Sequence, residues 1–236
     1  MQVFYVPGIK GNSCVMDENE SRHCIRVLRM TRGDRLEMID GNGNLYKGII
    51  SDPDPSGCRV AITGVTKDFE KRGYKLHIAI SPIKNQDRFE WFIEKSVEIG
   101  VDVITPLICR NTEKPGIKKD RTENIIISAM KQSLKAFRPV LNEPVIFGSF
   151  INSDPEGIKM IAHCNLTYER KRIDLIYEKN RDAVILIGPE GDFFEEELIH
   201  AFNNGFKSVH LGTSRLRTET AGIAACYSVY LINQHP

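Results

Sequence analysis

From Tyr74 onward the apolar spacing of the chain alternates between period 2 and period 3.6, so strand and helix patterns follow one another to the end. Leu76, Ile78 and Ile80 open the series. A helical stretch from Asp87 to Ile99 comes next, with Phe89, Ile93 and Val97 on one face, Asp87 and Glu90 at capping-box spacing, and Gly100 as a stop. Val101–Ile108 reads as a strand and Arg121–Ala136 as a helix that Pro139 prevents from continuing. Further strands are expected near Val145, Ile161 and Val184. Glu195–Asn204, with an acidic first turn and Gly205 beyond it, reads as a helix aligned with its dipole. A strand at Ser208–Leu211 and a helix at Glu219–Ile232 close the chain. Alternation of this kind predicts an α/β layer built on parallel strands.

The first 72 residues obey a different rule. Their apolar runs are short and separated by turns: Val3–Val6, Arg35–Ile39, Tyr46–Ile50 and Arg59–Val65. Asp40-Gly41-Asn42-Gly43-Asn44 supplies residues that tolerate positive φ between two strands, a hairpin signal. One helix, Glu18–Met30, is expected to interrupt the strands, with Arg22, Arg26 and Arg29 on one face and Ile25 and Leu28 turned away. The division predicts a small all-β module over 1–72 and an α/β domain over 73–236.

A net charge of only +1 across 236 residues excludes a global field that draws nucleic acid or membrane, so any basic surface must be local. The cluster Arg22, His23, Arg26, Arg29 and Arg32 is such a surface, and reads either as a solvated helix face or as a phosphate contact. The six cysteines are scattered, with no Cys-x-x-Cys pair and no histidine at ligand spacing, and read as buried thiols in a reducing compartment, with no metal. The start lacks a basic segment leading into a long apolar run, and nowhere do eighteen apolar residues follow one another, so a cytoplasmic protein with no membrane partner is expected.

Two loops follow β-branched strand candidates: Ile187-Gly188-Pro189-Glu190-Gly191, and Leu211-Gly212 continuing through Leu216-Arg217-Thr218-Glu219-Thr220-Ala221. Strand-end loops of an open α/β sheet are where ligands bind, and two of them side by side would wall one pocket. The first reads either as a tight turn or as a pocket wall. It has neither the lysine of a phosphate cradle nor the glycine spacing of a dinucleotide fingerprint, and it carries Glu190 and Asp192. That charge suits a neutral or cationic ligand such as S-adenosylmethionine. In the second loop, Arg215, Arg217 and Glu219 form either a surface ion-pair network or an electrostatic site acting on a substrate. The small residues from Ala221 to Cys226 imply a close helix contact, with a second copy of the chain or within one copy.

Four ordered motifs carry a resemblance: His23-Cys24-Ile25-Arg26-Val27-Leu28-Arg29, Glu94-Lys95-Ser96-Val97-Glu98-Ile99-Gly100-Val101, Ile187-Gly188-Pro189-Glu190-Gly191, and Leu216-Arg217-Thr218-Glu219-Thr220-Ala221. Through them the chain closely resembles the bacterial 16S ribosomal RNA (uracil-N3) methyltransferases of the knotted SPOUT superfamily. The resemblance implies an N-terminal PUA-like RNA-binding barrel, a C-terminal α/β domain with a trefoil knot, a homodimer, and 16S RNA of the 30S subunit as partner. Methyl transfer to such a base leads to the hypothesis that the two loops hold S-adenosylmethionine, with Arg217 stabilising the uracil anion and Glu219 orienting it or taking the proton. Two departures stand out: Lys131-Gln132-Ser133-Leu134-Lys135 on the third helix, and Asp192 where the family more often has glycine.

Overall fold

A computed structural model gives the fold of residues 3–234, which form two compact units: residues up to 71 together with 127–138, and residues 72–126 together with 139 onward. The division is not a single cut in the sequence. The first unit contains β1 (Val3–Tyr5), β2 (Ser13–Val15), α1 (Glu18–Arg22), β3 (Arg35–Ile39), β4 (Leu45–Asp52) and β5 (Arg59–Thr66). They make one five-stranded sheet in the order β1-β3-β4-β5-β2, with β1 parallel to β3 and every other pair antiparallel. Phe4, Met38, Ile50, Val60, Cys24 and Cys58 fill its core. The hairpin is built as its sequence demands. The Asp40 carboxylate accepts from the Asn42 and Asn44 N–H groups at 2.8 and 3.1 Å, while Gly41 and Gly43 take φ of 81° and 91°.

The helix expected over Glu18–Met30 is cut short. Asp17 caps α1 by accepting from Glu20 N–H at 2.8 Å, but after Arg22 the backbone widens into a π-helical turn, His23–Val27. Leu28 N–H reaches back five residues to His23, and Arg29 sits at φ 58°, which ends the helix. Arg22, Arg26 and Arg29 therefore do not share one regular i, i+4, i+7 stripe. Residues 127–138 complete this unit: Lys131 pairs with Glu20 and Lys135 with Glu70, and a Cβ at Gly43 would fall 2.2 Å from the Phe137 ring.

The second unit contains β6 (Leu76–Ile80), α2 (Gln86–Ile99), β7 (Val103–Ile108), α3 (Lys119–Ser133, its second half belonging to the first unit), β8 (Val140–Leu141), β9 (Val145–Ile146) and α4 (Phe147–Asn152). It continues with β10 (Ile158–Ala162), β11 (Lys171–Arg172), β12 (Ala183–Ile187), α5 (Glu195–Asn203), β13 (Lys207–His210) and α6 (Thr218–Gln234). Every pairing is parallel, in the order β11-β13-β10-β12-β6-β7-β8, with β9 also on β7. The central strand β12 is buried at all five positions. The expected helices appear with shifted ends: α2 is capped by Asn85 rather than Asp87, and α3 stops at Ser133 because Leu134 turns to φ 57°.

Alternation along the strands sends Ala79, Leu186 and Ile161 into a core with Phe147, Phe150, Leu198 and Ala201 from α4 and α5. On the other side α6 lies on β6, β12 and α2. A Cβ at Gly222 would lie 2.6 Å from the Phe92 ring and 2.9 Å from Ile80, so the small residues at the start of α6 serve a contact inside the chain. Of the cysteines, Cys24, Cys58, Cys109 and Cys226 are buried, Cys14 is partly buried and Cys164 is exposed, against the expectation of six buried thiols; all six are free.

Candidate active site

The register of the sheet brings the carboxyl ends of three strands together. Ala162 of β10 stands opposite Ile187 of β12 and Val209 of β13, because β10 lies between the other two. The two glycine loops are thus one strand apart rather than adjacent, and the end of β10 completes the wall. A cavity of ≈ 330 Å³ opens here, entirely within the second unit.

Most of the residues expected to hold a ligand line it: Ile187, Gly188, Pro189, Glu190, Leu211, Gly212, Leu216, Arg217, Thr218 and Ala221. Gly191, Glu219 and Thr220 do not. The Gly191 carbonyl faces away to accept from Asn111, Thr220 is exposed, and the buried Glu219 carboxylate lies 3.8 Å from Arg88 Nε on α2. Local sequence reasoning missed Ala162, His163, Cys164, Arg170 and His210, all of which line the cavity. The loop after β10 has no glycine, only an Asx turn at Asn165 whose side chain accepts from Thr167 N–H at 2.8 Å, and its place is fixed by strand order, which no local pattern encodes.

The walls are tied to one another. Thr218 Oγ1 donates to the Gly188 carbonyl at 3.1 Å, fastening the first turn of α6 to the loop after β12. That loop turns back on itself through Asp192 N–H donating to Pro189 at 2.9 Å. Gly188 packs under the Phe193 ring, where a Cβ would approach to 2.9 Å. Gly212 takes φ 117°, conformational space that suits glycine, and its N–H donates to His210 Nδ1 at 3.2 Å. Arg170 donates to the His163 carbonyl at 2.9 Å. The His163 ring is buried, with Nε2 2.7 Å from Ser208 Oγ, and burial pulls its pKa below the ordinary value. Arg215 and Arg217 are exposed at the mouth. Among the described residues no group of three or more His, Cys, Asp or Glu is arranged to hold a metal, and no helix is long and apolar enough to cross a membrane.

The cationic cluster belongs to the first unit. Arg22, Arg26, Arg29 and Arg32 are exposed, Arg22 paired with Glu18, while His23 is half-buried with its ring 6.2 Å from that of Phe4.

Residues 70–230 match the model of the RNA methyltransferase domain family, and residues 17–63 that of the RNA methyltransferase PUA domain. The chain belongs to the RNA methyltransferase family. Within this family it is 31% identical over 217 residues to ribosomal RNA small subunit methyltransferase E of Buchnera aphidicola, covering 88% of this chain and 83% of that protein. A crystal structure of a probable rRNA-methyltransferase from Porphyromonas gingivalis superimposes with a TM-score of 0.93 at 39% identity, over 99% of this chain and 98% of that one. Ribosomal RNA small subunit methyltransferase E of Neisseria gonorrhoeae, solved bound to S-adenosyl methionine, gives a TM-score of 0.83 at 26% identity over 98% of each chain. Membership of the RNA methyltransferase family and a PUA domain in the N-terminal segment thus stand as the sequence motifs implied.

Proposed function

We propose that this protein transfers a methyl group from S-adenosylmethionine to N3 of a uridine in the 16S ribosomal RNA of the small ribosomal subunit. The observation that carries the reading is the cavity at the ends of β10, β12 and β13, closed by the Thr218–Gly188 hydrogen bond, in a chain of this family. The Neisseria relative bound to S-adenosyl methionine supports the choice of donor.

The residues present fit that donor. The cavity is of the size small ligands occupy, roughly 300 Å³ and upward. Its glycines leave backbone groups accessible, and its lining carries both carboxylates, Glu190 and Asp192, and arginines, Arg170, Arg215 and Arg217, as a ligand with an ammonium, a sulfonium and a carboxylate requires. S-adenosylmethionine supplies an electrophilic methyl group on a sulfonium. The chain must hold the base in line with it, accept the imide proton from N3 and balance the negative charge left on the ring. The position of Arg217, exposed at the cavity mouth, supports it as the cation that balances that charge. Glu219 stands outside the cavity wall with its carboxylate toward Arg88, which supports neither proton uptake from the base nor orientation of Arg217.

In this reading residues 1–72 serve RNA binding, with Arg22, His23, Arg26, Arg29 and Arg32 on phosphates, and residues 73–236 serve catalysis in the cytoplasm. A trefoil knot in the second part belongs to this reading through the family motifs, since strand order alone does not distinguish a threaded chain from an unthreaded one. A homodimer is supported by the apolar residues that α6 leaves uncovered, Tyr227 at 49% and Leu231 at 38% exposure, with Tyr227 stacked on Tyr230.

The test is to incubate small ribosomal subunits from a strain lacking the enzyme with labelled S-adenosylmethionine, and to locate the label by mass spectrometry. Methylation at N3 of a single uridine is expected. Absence of label, or label on another base, would overturn the assignment.

A further inference from the structure

The segment after β7 grips the cavity wall from outside. The Asn111 amide donates to the carbonyls of Gly191 at 3.0 Å and Asp192 at 3.1 Å, two consecutive peptide units of the loop after β12. A Cβ at Gly191 would lie 3.1 Å from that same amide nitrogen, so the approach is as close as a peptide without a side chain permits. The next residue, Asp192, holds φ 61°, left-handed backbone where glycine is unstrained and aspartate is tolerated when its side chain bonds locally. Its carboxylate does so twice. One oxygen accepts from Phe193 N–H at 2.9 Å and the other from Cys164 N–H at 2.8 Å, at the end of β10.

Two side chains therefore join segments from three strands, β7, β10 and β12, by three hydrogen bonds, with a fourth local to the loop. Both bond to main chain, and Asn111 is not part of the cavity lining. Without them the Pro189–Asp192 turn would keep its own hydrogen bond but lose its ties to the two neighbouring strand ends. A wall of that kind must be ordered when a ligand arrives, and the ordering lowers affinity.

We infer that Asn111 and Asp192 are a coupled pair of positioning residues that preform the donor-side wall and so set affinity for the methyl donor. The inference rests on the proposed reading of the cavity as the S-adenosylmethionine site. It also accounts for an aspartate at a left-handed position: the carboxylate does what a glycine there cannot, anchoring the loop to β10.

The experiment measures S-adenosylmethionine binding by calorimetry, with KM for the donor and kcat on small subunits, for the parent, Asn111→Ala, Asp192→Gly, the double variant and Asp192→Asn. Each of the first two should weaken donor binding about tenfold, as expected for loss of two modest hydrogen bonds. The rise should appear in KM with kcat largely kept, and the double variant should bind little worse than the weaker single one. Asp192→Asn, which tolerates the left-handed backbone and retains one acceptor oxygen, should recover part of the loss. Lower melting temperatures with unaltered donor affinity would overturn the inference, as would additive losses in the double variant. Should Asn111→Ala not fold, Asp192→Asn against Asp192→Gly carries the same comparison. A parent protein that binds no S-adenosylmethionine would remove the cavity reading and this inference with it; a parent that binds, with variants that bind equally, would remove this inference alone.

Discussion

Thr218 and Gly188, thirty positions apart, meet through a buried hydrogen bond of 3.1 Å from the threonine hydroxyl to the glycine carbonyl. One belongs to the helix that ends the chain and the other to the loop after the central strand, so a single bond holds two walls of the cavity in register. Thr218→Val keeps the shape and removes the donor, leaving a buried carbonyl unsatisfied at a cost of about 1–3 kcal/mol. Urea unfolding should register that loss, and calorimetry should show weaker S-adenosylmethionine binding. Unchanged stability and affinity would mean that water replaces the hydroxyl.

Arg217→Ala should lower turnover on small subunits by about two to three powers of ten, by analogy with removal of an oxyanion donor, while donor affinity changes little. Single-turnover rates with saturating donor make the measurement. An unaltered rate constant would exclude Arg217 from charge stabilisation.

Reversing Arg26 and Arg32 to glutamate should weaken binding of 16S RNA fragments and reduce the slope of log affinity against log salt by roughly 0.7–0.9 for each phosphate no longer neutralised. Both side chains are exposed in the first unit, so folding should be unaffected. Parallel salt plots for variant and parent would show that these arginines face only solvent.

Gly222→Ala should destabilise the protein although alanine favours helices by about 1 kcal/mol. The added Cβ would stand 2.6 Å from the ring of Phe92, which is fully buried and has no room to withdraw. Overpacking of this kind costs about 1–3 kcal/mol, so the steric effect exceeds the propensity gain. A rise in the urea midpoint would contradict this.

His77 gives a pH signature. Burial lowers its pKa from 6.5 to about 4, and its Nε2 lies 2.7 Å from Thr105 Oγ1, which itself accepts from the Asn142 amide at 2.8 Å. Thr105 is thereby held between the imidazole and the Asn142 amide. Below pH 6.5 the unfolded chain takes up a proton that the folded chain refuses until about pH 4. Stability is therefore complete above that window and falls as pH drops through it, by at most about 1.4 kcal/mol per unit. Urea midpoints at pH 7.5 and 5 should separate more for the parent than for His77→Asn, which can still accept from Thr105. Equal separations would show that His77 is already charged in the fold.

The sheet was legible because β-branched runs ending in glycine mark parallel strand ends whatever their neighbours are. Ile187–Gly191 and Leu211–Ala221 carry that mark and reach the cavity; His163 and Cys164 lie between them without one. The β10 contribution follows from strand order, a property of long-range packing that local pattern cannot express. The π turn at His23–Val27 was equally hidden, since a helix that widens by one residue keeps much the same alternation of polar and apolar side chains. The return of residues 127–138 to the first unit depends on a partner surface around Gly43 and Glu20 rather than on the helix's own sequence.

The position of β12 has a consequence for synthesis. Its two neighbours, β6 and β10, leave the ribosome before it does, yet they have no hydrogen-bonded edge to share until it arrives. The sheet cannot be continuous from β6 to β10 until residue 187 has emerged. Pairing between strands so far apart in sequence is a slow, long-range step of the kind that leaves strand edges open to aggregation.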